Sequence, residues 1–318
     1  MSLVPKVLAG ETRFIARAMT WIENDRDGKE ALIDELFPHC GGAVVWGITG
    51  PPGAGKSTLT DQLITRERRR GRRVGVIAVD PSSPFSGGAI LGDRLRMQQH
   101  ATDDGVFIRS MASRGHLGGV AGATGDAIKV LDAAGFDTII LETIGVGQTE
   151  IEVMELADVV LLVMVPGLGD EIQALKAGVM EIGDVFVVNK ADRDGAEKVA
   201  SEIGYVLDLK YAEHPSDRSP ICLVSALQNQ GIDGLMETLD TFLSNMQASG
   251  HLPAKRRARI ASELRRIATR KVEETVHRHL DFAGQFDAWV DELFERKTSP
   301  YALMHQQLDP LFKELEGR

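Results

Sequence analysis

Gly50-Pro51-Pro52-Gly53-Ala54-Gly55-Lys56-Ser57 fills every fixed position of the pattern G-x-x-x-x-G-K-[ST]. The run before it, Ala43-Val44-Val45-Trp46-Gly47-Ile48-Thr49, is apolar and predicts a buried strand, and Ser57 to Ile64 reads as the first turns of a helix. Glycines let the main chain wrap closely around an anion, and a helix start offers unpaired N–H groups and a favourable dipole. Gly50 to Thr58 then cradle phosphates: Lys56 reaches the β- and γ-phosphates and the Ser57 hydroxyl binds Mg²⁺. A chance Gly-rich turn would not carry a strand before it, a helix after it and every fixed residue between.

Outward from that loop, apolar runs alternate with helix-like segments. The predicted strands are Val44–Thr49, Val74–Val79, Val106–Ile108, Thr138–Leu141, Val159–Val165, Val185–Val188 and Ile221–Val224. Several are continuous β-branched runs, as in parallel strands covered on both faces. The alternation predicts a doubly wound α/β fold with a mostly parallel sheet. Residues 1–42 read as a helical extension, 43–246 as the phosphate-loop domain, and 247–318 as charged helices broken near Asp281–Gly284 and Ser299-Pro300. Leu264, Ile267, Val272, Val276 and Leu280 form an apolar stripe that needs a surface to cover.

Asn189-Lys190-Ala191-Asp192 follows the strand Val185–Val188 and selects the base. An Asp carboxylate accepts two hydrogen bonds from the ring N–H and exocyclic amine of guanine, a pair that adenine does not offer. Asn189 is expected to tie neighbouring loops together, and the Lys190 stem to cover the base. Ser225-Ala226-Leu227 follows the last strand, where a backbone N–H can meet the guanine oxygen. The ligand implied is GTP or GDP with Mg²⁺.

Metal oxygens are expected from Ser57 directly, and from Asp80, Asp93 and Glu142 directly or through water. Asp80 and Glu142 end buried strands, where an unpaired carboxylate is costly; Asp93 could equally start a helix. With Lys56, Asp80 and Glu142 form the catalytic set. Glu142-x-x-Gly145 occupies the place of the Asp-x-x-Gly of many GTPases, with Gly145 near the γ-phosphate. Val146 follows where a water-orienting glutamine is usual, and Gln148 lies two positions on. This predicts slow hydrolysis by the chain alone.

The chain has 318 residues with 36 basic and 46 acidic side chains, a net charge of −10 that argues against general nucleic-acid binding. Six arginines between Arg66 and Arg73, and the basic stretch Lys255–Lys271, read as solvated helix faces. Cys40 and Cys222 are far apart and unpatterned, which fits a reducing compartment. No run has the length of a membrane span and no signal core opens the chain, so a cytoplasmic protein is expected.

Several segments together carry a resemblance. Gly50–Thr58, Asp80-Pro81-Ser82-Ser83, Gly87–Asp93, Leu117–Ala121, Glu142-Thr143-Ile144-Gly145-Val146-Gly147-Gln148 and Asn189–Asp192 resemble the MeaB/ArgK-type G proteins. These are GTPase chaperones of adenosylcobalamin-dependent acyl-CoA mutases such as methylmalonyl-CoA mutase. The resemblance implies a homodimer joined through the C-terminal helices, and GTP hydrolysis that gates cofactor loading and protects the mutase. It also implies mobile switches at 80–97 and 142–154, and a further segment, Pro166–Gln173 with Lys176, that communicates with the mutase. Older labels in this group suggest an amino-acid transport kinase, and nothing in the sequence supplies a second substrate site. The alternative is a metal-insertion GTPase of the nickel-delivery type. That chemistry asks for clustered Cys or His ligands, whereas both cysteines are isolated, His116 is a lone loop histidine, and His277 and His279 are too close to share a helix face. A plain interaction module with a degenerate pocket is disfavoured by the intact Lys56, Ser57 and Asp192.

Overall fold

A computed structural model describes residues 3–80, 100, 102–112, 119–143, 151–152, 154–167, 180–280 and 282–316. Seven strands, β1 (Val44–Thr49), β2 (Val74–Asp80), β3 (Val106–Ala112), β4 (Thr138–Thr143), β5 (Val159–Met164), β6 (Val185–Val188) and β7 (Ile221–Leu223), form one sheet in the order β3-β2-β4-β1-β5-β6-β7. Each adjacent pair runs parallel. Every residue of β4, β5 and β6 is buried, the state expected of continuous apolar strands sandwiched between helices. The doubly wound α/β fold read from the sequence is the observed one.

β2, β3 and β4 run further than the apolar pattern predicts, to Asp80, Ala112 and Thr143. In β3 the pattern is broken by Arg109, which bonds Glu23 and Thr20 on the N-terminal helix Thr12–Glu23. A polar residue that finds partners on a covering helix does not end a strand. Ile15, Ala18, Met19 and Ile22 of that helix share a core with Ala127, Val130 and Leu131 and with Ile77 and Ile139 of the sheet.

The described chain divides into two compact units at Ile260. The second has its own small core, in which Trp289 and Leu303 are buried among Val276, Leu293, Met304 and Leu308. Of the predicted apolar stripe, Leu264, Ile267 and Val272 are exposed and Val276 joins that core; the Leu280 side chain lies outside the described residues. A helix spans His251–Leu280.

The two basic clusters are solvated faces only in part: Arg69, Arg70, Arg72, Arg257, Arg265 and Lys271 are exposed, whereas Arg66 is buried and Arg68, Lys255 and Arg256 are half-buried. Arg68 pairs with Asp103 through two hydrogen bonds, Arg70 with Asp240 and Arg72 with the fully buried Glu67. In the second cluster, Arg256 donates to the buried Asp158 carboxylate at 2.6 and 3.0 Å, and Lys255 to Asp184 at 2.9 Å. Asp158 also accepts the Val45 N–H at 3.0 Å, so this latch fixes the entries of β1 and β5 together. Arg256→Ala should cost about 2 kcal/mol in urea unfolding, the size of a charge-assisted hydrogen bond lost from a buried carboxylate. A stability equal to that of the parent would make the latch incidental.

Candidate functional site

β1 lies at the middle of the sheet, and the chain leaves its carboxyl end directly into Gly50–Gly55 before the helix Lys56–Arg69 begins. Ligands in open α/β sheets gather outside these strand ends. Two of the loop glycines are required sterically. Gly50 has φ 146° and a Cβ there would fall 2.2 Å from the Val163 carbonyl oxygen; Gly55 has φ 85° and its Cβ would fall 2.5 Å from the Asn189 side-chain nitrogen. The loop is packed against β5 on one side and against the base-reading segment on the other.

Lys56 and Ser57 are both buried. The Lys56 ammonium donates to the carbonyls of Gly50 at 2.6 Å and Pro51 at 2.9 Å, which holds a positive charge in the mouth of the loop. Ser57 Oγ donates to Glu142 Oε1 at 2.5 Å, and Thr60 Oγ1 to Glu142 Oε2 at 2.8 Å. The buried Glu142 carboxylate is thereby stabilised by two hydroxyls and placed beside the expected metal-binding serine. Hydroxyl and carboxylate oxygens are the hard donors that Mg²⁺ takes, so Ser57 and Glu142 fit that ion. Thr60 escaped the sequence reading; its place one turn after Ser57, on the same helix face, is the signal that could have found it.

Asn189 is buried and joins three segments. Its Nδ2 donates to the Ala54 carbonyl at 2.8 Å, and its Oδ1 accepts the N–H groups of Lys190 at 2.8 Å and Ala226 at 3.0 Å. Lys190 takes the left-handed backbone conformation, φ 56°, and its ammonium donates to the Gly53 carbonyl at 2.7 Å. Pro52, Gly53, Gly55, Lys56, Ser57, Thr58, Glu142, Asn189, Lys190, Asp192, Ala226 and Leu227 line one cleft of about 380 Å³, together with Arg193. Asp80 closes β2; its side chain, Asp93 and Gly145 lie outside the described residues. So do most of segments 80–97 and 142–154, Leu168–Gln173, Lys176 and His116.

Hydrogen bonding from Ser225 holds the Asp192 carboxyl below the usual carboxylate range; desolvation opposes it, and the Arg193 and Lys190 charges add lesser lowering contributions. Guanine pairs with the ionised form, so selectivity is present above this pKa and is lost as pH falls through it. Ser225→Ala removes the lowering contact. In a pH series of GTP-over-ATP competition, the midpoint for loss of selectivity should move to higher pH in the variant. An unmoved midpoint would show that Ser225 does not tune Asp192. Both cysteines are free, and burial pushes the Cys40 thiol up to about 11. Among the described residues, no three or more His, Cys, Asp or Glu side chains gather as a metal would need, and no helix is long and apolar enough to cross a membrane.

Residues 15–281 match the profile of the family described as methylmalonyl Co-A mutase-associated GTPase MeaB. The chain belongs to the MeaB family. A relative from Pyrococcus abyssi is 47% identical over 322 residues, covering 99% of this chain and 96% of that one. The GTPase ArgK of Escherichia coli is 37% identical over 296 residues, covering 90% of this chain and 87% of its own length. A crystal structure named as an LAO/AO transport system kinase superposes with a TM-score of 0.72 at 28% identity, covering 97% of this chain and 96% of that one. As a member of a GTPase family, this chain is a GTPase, and GTP and GDP are its ligand class. The matched span reaches beyond the sheet on both sides, into Thr12–Glu23 and through His251–Leu280.

Proposed function

We propose that this MeaB-family chain binds GTP with Mg²⁺, hydrolyses it slowly, and uses the cycle to gate cofactor loading onto an adenosylcobalamin-dependent acyl-CoA mutase and to protect that mutase. The observation that supports this most is the family match over residues 15–281, whose description names a mutase partner. In this reading Gly50–Thr58 hold the phosphates, with the Lys56 charge stabilising the leaving β/γ oxygens. Ser57 and Glu142, with Asp80 and Asp93, hold the metal, which supplies charge neutralisation at the phosphates. Asn189, Lys190, Asp192 and Ser225–Leu227 select guanine, and Gly145 approaches the γ-phosphate. The helices of 247–318 form the contact of a homodimer, residues 1–42 extend the phosphate-loop domain of 43–246, and the protein works in the cytoplasm. No observation among the described residues favours the metal-insertion alternative.

The test is GTP turnover by the purified chain with and without purified methylmalonyl-CoA mutase. A mutase partner that orders the catalytic loops should raise the rate at least about tenfold, a modest share of what a partner-supplied group gives elsewhere. A rate unchanged by the mutase, with no co-elution in either nucleotide state, would remove the chaperone reading while leaving GTP binding intact.

A further inference from the structure

Arg66 belongs by sequence to a run of six arginines, yet it is only 7% exposed. It lies nine residues beyond Ser57 on the phosphate-loop helix. Its guanidinium donates from Nε to Asp233 Oδ1 at 3.0 Å, from Nη1 to Gln62 Oε1 at 2.7 Å and from Nη2 to Asn229 Oδ1. Asn229 and Asp233 flank the end of the segment that begins with Ser225-Ala226-Leu227. That segment is closed on itself by paired bonds between Ser225 and Gln230, each 3.0 Å. Leu227, Gln228, Asn229 and Gln230 are all exposed, Leu227 at 85%, so apolar burial does little to hold them in one conformation. Asn229 is also left-handed, with φ 58°, a state in which a non-glycine residue needs support. The planar guanidinium, bonding two side chains of this segment and one of its own helix, supplies it.

We propose that Arg66 is a positioning residue for guanine recognition. From the phosphate-loop helix it holds segment 225–233 in register, so that the Ala226 N–H stays on Asn189 and the Ser225 hydroxyl stays on Asp192. The proposal rests on the reading of Asp192 and Ala226 as the base-selecting groups, and it makes the strength of guanine recognition depend on the helix that anchors the phosphates.

The experiment measures GDP, ADP and inorganic tripolyphosphate binding by the full chain as Arg66→Ala, Arg66→Lys, Asn229→Gly and Asn229→Asp. Arg66→Ala should weaken GDP about tenfold, as for one lost charge-assisted contact, chiefly through faster release. Tripolyphosphate and ADP should bind as before, so the GDP-over-ADP ratio falls. Arg66→Lys cannot span the same acceptors and should restore little. Asn229→Gly keeps the left-handed backbone but removes the acceptor, and should move the ratio in the same direction without threatening the fold. Asn229→Asp keeps an acceptor opposite the guanidinium and should bind GDP as the parent does. Equal losses for GDP and tripolyphosphate would make Arg66 a support of the helix alone and overturn the proposal, as would an unchanged GDP-over-ADP ratio in Asn229→Gly. Asp192→Asn, run in parallel, separates the two readings. Retained guanine preference there would refute the base-selecting assignment itself, whereas its loss beside an unaffected Arg66→Ala would refute only the role of Arg66.

Discussion

Lys56→Ala should lower GTP affinity by at least about a hundredfold, with the thermal unfolding of the chain little altered. The ammonium is buried in the phosphate loop on the Gly50 and Pro51 carbonyls, so it is already placed where the β/γ oxygens would arrive. Charge-assisted contacts to phosphate are each worth about 1.5–3 kcal/mol, and two lost contacts correspond to a factor of roughly a hundred or more. The fold should survive because the helix is held elsewhere, through Leu59, Leu63 and Ile64 in the core beneath the sheet. Isothermal titration with GTP in excess Mg²⁺ reads the affinity and circular dichroism reads the fold. Parent-like affinity would show that the loop binds phosphate through its backbone alone. Loss of helical signal would move Lys56 from ligand binding to structure.

Asp192→Asn should exchange the preferred base. The side chain lines the cleft beside Asn189, Lys190, Ala226 and Leu227, and the Ser225 hydrogen bond lowers the pKa of its carboxyl. A carboxylate accepts from both the ring N–H and the amine of guanine; an amide turns one acceptor into a donor. Xanthine presents an oxygen where guanine has its amine, so it matches the amide. Sites that leave a polar group unpaired reject the wrong ligand by large factors, and a fall in GTP affinity of about a hundredfold or more is expected, with xanthosine triphosphate overtaking it. A variant that still bound GTP ahead of xanthosine triphosphate would assign base selection to the backbone of Ser225–Leu227 instead.

Much of the site could be read along the chain because its parts are contiguous. Gly50–Ser57 is one loop and Asn189–Asp192 is one strand end, and each signals itself through residue types that only a few conformations tolerate. The sheet was legible for the same reason, since β4, β5 and β6 are short unbroken apolar runs between turn signals. Contacts between distant residues left no such trace. Asn229 meets Arg66 across 163 positions, Arg256 meets Asp158 across 98 and Thr60 meets Glu142 across 82. In one dimension a buried arginine and a solvated one look alike; burial is decided by which carboxylate or amide the fold brings opposite. Arg66 near the start of one basic cluster and Arg256 in the other therefore looked in sequence like their exposed neighbours. The strand ends failed for a related reason: Glu142 and Thr143 are polar, but Glu142 has Ser57 and Thr60 to bond, and Thr143 Oγ1 lies 3.0 Å from Thr49 Oγ1.

The single carboxamide of Asn189 touches the phosphate loop at Ala54 and the far loop at Ala226, and it works as a fixed caliper between the two jaws of the cleft. Both bonds are in place without a nucleotide, so the separation of the two loops is set by the protein itself. Shortening that side chain, or removing its amide, would let the jaws drift apart even with every phosphate and base contact residue left intact.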